Sequence, residues 1–141
     1  MRRAAIVVAC VAVAGCGGSG GLSAKDYRAK ADAICTSIKS QRDRLPPASN
    51  IDELRAVARS TIAINTDALR RFKALDPPGD LKAPNDVIVT RLQQTLELQQ
   101  QALKAGAGSK TMETINVRAG QARKALIAAA QQAKLPACER L

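Results

Sequence analysis

The chain has 141 residues, enough for one domain, and only two aromatics, Tyr27 and Phe72, with neither Trp nor His. Its core must be assembled from Ala, Leu, Ile and Val, which suits close-packed helices and speaks against a sheet sandwich. The formal charge is +10, and the lack of His with sparse carboxylates leaves little from which to build a catalytic, haem, di-iron or zinc centre.

Met1-Arg2-Arg3 is a short basic start, and residues 4–14 form an apolar run of eleven. A helix crossing a bilayer needs about 20 such residues. The run therefore reads as a cleaved export signal over residues 1–15, of the Sec type, and not as a permanent span. Small residues lead to Cys16, and Gly17-Gly18-Ser19-Gly20-Gly21 follows as a flexible tether over residues 16–22. Cys10 lies inside the apolar run and has no role of its own. Loss of Arg2 and Arg3 leaves 20 basic against 12 acidic side chains.

Val13-Ala14-Gly15-Cys16 resembles the lipobox of bacterial lipoproteins. The resemblance implies that Cys16 becomes the new N-terminus and carries a diacylglyceryl thioether, with a further acyl chain such as palmitate on its amine. Two or more chains make a stable anchor at ~0.8 kcal/mol per buried methylene, whereas one holds only marginally. The implied location is the extracytoplasmic face of a bacterial cell membrane.

Residues 23–141 carry four stretches of helical periodicity. Ser23-Ala24-Lys25-Asp26 fits a capping box and opens a helix to about Leu45, with Tyr27, Ala31, Ile34, Ile38, Gln41 and Leu45 on one stripe. Pro46-Pro47 ends it. Asn50 with Glu53, or Ser49 with Asp52, caps a second helix to about Leu75, whose stripe runs through Leu54, Val57, Ala58, Thr61, Ile64, Ala68, Phe72 and Leu75. Asn65, near that stripe, is expected on a flank facing water. Asp76-Pro77-Pro78-Gly79 breaks the chain. Pro84 suits the first turn of a third helix, which reaches about Ala105 with Val89, Leu92, Leu96, Gln99 and Leu103 facing inward. After Gly106-Ala107-Gly108, Ser109 caps a fourth helix. Its seam alternates by 3 and 4 through Met112, Ile115, Ala119, Ala122, Leu126, Ala129 and Ala133, and its alanines admit a close partner. Four helices of similar length with short connections predict an all-α, up-down-up-down four-helix bundle.

With Cys16 acylated, Cys35 and Cys138 are the thiols left in the exported chain. In an oxidising compartment a Cys35–Cys138 disulfide is the default, and two free thiols are the alternative. With no His and no CxxC, the pair does not suit zinc. Cys35 lies some ~18 Å up helix one, while helix four ends beside its start. Either helix one overhangs the bundle or Pro136 turns the tail back along it; a mixture leaning towards overhang is expected. "YRAKADAIC", "LDPPGDL" and "KLPAC" resemble a loosely defined group of small, secreted, helical actinobacterial proteins. That resemblance implies the same architecture, with a Cys in the first helix and one at the C-terminus, and no assigned activity.

No catalytic residue, cofactor or metal is expected. Tyr27, on an apolar stripe, reads as core or rim rather than as a proton donor. The pairs Arg42 with Arg44, Arg55 with Arg59, Arg70 with Arg71 and Arg118 with Arg123 are mixed with acids, as on a solvated surface, or draw the chain to anionic head groups or wall polymers. Nucleic acid is not expected, for want of aromatics to stack on bases and because of export. The expected function is a membrane-anchored interaction or scaffold module meeting an envelope protein or an anionic polymer. The alternative is a carrier of a small apolar ligand in a crevice lined by Ile34, Ile64, Phe72 and Leu96.

Overall fold

The computed structural model describes residues 21–105 and 109–141. The signal segment, Cys16, the tether up to Gly20 and the 106–108 break lie outside them. Four helices follow in chain order, α1 (Ala24–Asp43), α2 (Ile51–Lys73), α3 (Gly79–Lys104) and α4 (Lys110–Ala133). A short 3-10 turn, Cys138–Arg140, follows α4, and the described residues contain no strand. The fold is the up-down-up-down four-helix bundle.

Local chemistry sets three of the four starts. Ser23 Oγ accepts from Asp26 N (3.1 Å). Asn50 Oδ1 accepts from Asp52 N and Glu53 N, while Glu53 reaches back to Ser49 N at 2.7 Å. Ser109 Oγ accepts from Met112 N (3.3 Å). Each side chain satisfies a donor that the first helical turn leaves without a partner.

The start of α3 departs from expectation. The helix begins at Gly79, behind an extended Pro78 that offers no side-chain cap, and Pro84 sits inside it. Pro84 lacks the N–H that would have bonded the Asp80 carbonyl. Its ring is nonetheless buried, on one stripe with Leu81, Ile88 and Leu92. Likewise α1 ends at Asp43 rather than Leu45, because a residue before proline is pushed out of the helical region.

One core joins all four helices, through Tyr27, Ile34 and Ile38 of α1, Ala68 and Phe72 of α2, Ile88 and Leu92 of α3, and Leu126 and Ala130 of α4. The closest helix pair is α3 with α4, where Ala122 is buried on the predicted seam. By contrast, the backbones of α1 and α4 barely approach each other, and the C-terminal tail touches both.

The tail joins the chain by turning back, not by an overhang of α1. Arg28 Nε donates to Ala133 O at 3.0 Å, so α4 ends beside the start of α1. Lys134 then adopts φ 58°, ψ 56°. Its N–H meets Gln131 O (3.0 Å) and that of Leu135 meets Ala130 O (2.9 Å), the paired bonds of a Schellman motif. Leu135 is fully buried, and Ala137 N donates to Asp32 Oδ1 at 3.1 Å. The tail thus climbs along α1 until Cys138 meets Cys35, S–S 2.03 Å and Cα–Cα 5.0 Å. The reversal lies at Lys134, two residues before Pro136.

Candidate interaction groove

The four-helix section closes on a polar layer. Arg42, in the last turn of α1, donates from Nη2 to Asn65 Oδ1 (2.8 Å), and Asn65 Nδ2 donates to Gln99 Oε1 (3.0 Å). The layer crosses α1, α2 and α3 in turn. Asn65 is fully buried, contrary to its expected place on a water-facing flank, because Arg42 and Gln99 satisfy its amide on both sides. Arg42, not Gln41, takes the inward position on α1, and Gln41 is exposed.

Beyond this layer α1 stops, while α2, α3 and α4 continue. From Thr61 up to Ile51 the rise is about 15 Å. The 44–50 connection covers that height on another flank of α2, with Pro46 and Pro47 near Ala56 and Val57. It leaves open the stripe of α2 that faces the bundle axis lower down. There an open groove of about 540 Å³ lies between Ile51, Leu54, Ala58 and Thr61 of α2, Gln99 and Leu103 of α3, and Met112 of α4. Ile51 and Leu54 are each 54% exposed. The stripe through Leu54 reads as core; its direction is right, but α1 ends before reaching the height of Leu54 and leaves it half uncovered.

The polar layer has a fixed sense. An arginine only donates, so Asn65 must turn its oxygen to Arg42 and its NH2 to Gln99, and Gln99 must answer with its oxygen. Gln99, a residue that lines the groove, is therefore left with its NH2 as the free end of the chain, and no hydrogen bond from that NH2 is formed among the described residues. Thr61 spends its hydroxyl proton on Val57 O (2.9 Å). Arg42 Nε is buried without a partner. Burial, and secondarily Arg123, weaken the hold of the Arg42 guanidinium on its proton, and the layer contains no carboxylate.

The other sequence candidates fall elsewhere. Cys16 lies outside the described residues, and the buried Cys35–Cys138 bond is structural. Tyr27 is fully buried and donates to Asn85 Oδ1 (3.1 Å). Burial, with a smaller push from Asp86, raises its hydroxyl to about 12. Ile34, Ile64, Phe72 and Leu96 are buried, so the open space lies above them and not among them. Arg55 pairs with Asp52, and Arg70 and Arg71 with Asp67, exposed contacts that contribute little. The inner-face reading of α3 already contained Gln99. Arg42 and its bond to Asn65 were missed, and the available signal was that Arg42 follows Ile38 by four positions.

Among the described residues no helix is long and apolar enough to cross a membrane, and no cluster of three or more His, Cys, Asp or Glu is placed to hold a metal. No family model, curated protein or solved structure matches the chain.

Proposed function

We propose that the chain is a lipid-anchored, non-catalytic interaction module of the bacterial envelope, fastened through Cys16 and working through the groove. The carrying observation is an apolar surface left open at the end of the bundle remote from Leu22. Leu22 N donates to Asp76 O at 2.9 Å, which ties the start of the described chain to the α2–α3 turn, at the base. The groove begins at Thr61 and ends at Ile51, toward the opposite end of α2. A lipid on Cys16 would keep the base, where Leu22 lies, nearer the anchor than the groove is. The resemblance of residues 13–16 to a lipobox supports the anchor. Ile34, Ile64, Phe72 and Leu96, expected to line a carrier's crevice, are buried, so carriage of a small apolar ligand, the second reading, would have to use this groove instead.

The anchor is tested by Cys16→Ser in cells fed a clickable fatty acid. The wild-type chain is expected to take up label and to sediment with membranes, and the variant to lose both. Unchanged labelling in the variant, or a native chain recovered from cytosol with residues 1–15 uncut, would refute the reading.

A further inference from the structure

We propose that the groove is a binding site for an amphipathic carboxylate, a single-chain fatty-acid-like anion whose head meets the Gln99 amide. Its tail lies along Ile51, Leu54 and Leu103. The inference rests on the preceding reading only in taking the groove as the working surface.

Three observations carry it. The polar chain that ends at the groove is directional. Because Arg42 donates to Asn65 and Asn65 to Gln99 (2.8 and 3.0 Å), what it offers at its free end is a donor, and the complement of a donor is an acceptor. Charge supports the same answer. Among the described residues no acidic side chain lines the groove, its one charged lining residue is Arg55, which also pairs with the exposed Asp52, and the Arg42 cation behind Gln99 is paired with no carboxylate. An anionic acceptor forms the stronger kind of hydrogen bond there, whereas an alcohol supplies no charge. Size and lining also agree. A groove of about 540 Å³ walled by Ile, Leu, Ala and Met falls in the ~300–1,000 Å³ range of small-molecule sites with few polar groups.

The test is calorimetric titration of the purified full chain with dodecanoate and with 1-dodecanol, below micelle concentrations. Dodecanoate is expected to bind at least tenfold more tightly. Gln99→Glu keeps an acceptor for Asn65 Nδ2 but replaces the free NH2 by a negatively charged oxygen. It should abolish the preference for the acid and spare the alcohol. Leu54→Asp, at an exposed position, should weaken both ligands at least fivefold, with helicity by circular dichroism unchanged. Equal affinity for acid and alcohol, no binding of either, or a preference that survives Gln99→Glu would each overturn the proposal. So would a dimer in sedimentation that Leu54→Asp dissociates, since a second copy would then fill the groove. A protein photocrosslinked at position 54 without dodecanoate binding would also overturn it, yet would leave the anchored module standing. Loss of the Cys16 anchor with dodecanoate binding intact would do the reverse.

Discussion

Tyr27 is the only tyrosine in the chain, so its ionisation can be followed without interference. Its hydroxyl is buried against Asn85 and raised to about 12, mainly by desolvation. An unfolded tyrosine titrates near 10. Below pH 10 both states keep the proton, and the stabilisation is present in full. Between about pH 10 and 12 the unfolded chain releases it while the folded chain does not, so stability falls with rising pH by about 2–3 kcal/mol. Phenolate absorbance should therefore show a midpoint near 12 in the folded chain and near 10 in denaturant. Tyr27→Phe should flatten the pH dependence of the urea midpoint over that window. A folded-state midpoint near 10 would refute the assignment. Single residues were legible to the extent that periodicity reports them. Gln99 on the inner face of α3 was readable, and so was Tyr27 in the core. Asn65 was not, because an isolated Asn beside an apolar stripe ordinarily faces water. Its burial is met by Arg42, 23 residues away, and by Gln99, and although the spacing from Ile38 turns Arg42 inward, it does not name Asn65 as the partner.

Helix boundaries depend on local chemistry, and most were readable for that reason. Ser23, Asn50 and Ser109 are caps by residue type and spacing, and Pro46 stops α1 through sterics alone. The groove was not readable at this scale. Leu54 belongs to the correct stripe, but only the three-dimensional end of α1 shows that the stripe is half covered. The C-terminal turn is expected at Pro136, as the lesser of two readings, and lies instead at Lys134, a lysine standing where glycine or asparagine usually marks the left-handed position. Lys134 at φ 58° is the sole non-glycine residue with positive φ among the described residues. A side chain there costs on the order of 1 kcal/mol that glycine does not incur. Lys134→Gly should stabilise the chain by about 0.5–1 kcal/mol, less than the full strain because glycine also gains freedom when unfolded. Thermal unfolding should shift upward by roughly 2–4 °C, with Lys134→Ala close to wild type. A glycine variant that melts lower would mean that this turn does not hold the left-handed conformation.

At the scale of the whole molecule, four apolar stripes and the breaks between them sufficed to indicate a bundle. The way α1 joins it could not be read from them. Equal helices in a square each touch two neighbours, but here the backbone of α1 lies close to α2 and scarcely approaches that of α4, which it meets through side chains, Arg28 to Ala133 O among them. Its second attachment is the tail, through Leu135, the Ala137 N–Asp32 bond and the disulfide to Cys35. The disulfide therefore acts in two ways. It removes unfolded-state freedom over a separation of 103 residues, which the chain-entropy relation values at about 4–5 kcal/mol. It also keeps the tail seated beside α1. Reduction should lower the melting temperature by roughly 15 °C, and Cys35→Ala with Cys138→Ala should do the same. The loss should not be uniform. Hydrogen exchange on the reduced chain should accelerate first in α1 and the tail, while the closely packed α3–α4 pair keeps its protection. A reduced chain that melts where the oxidised one does would remove the entropic contribution. Uniform acceleration over all four helices would show that α1 is held by the core alone and not by the tail.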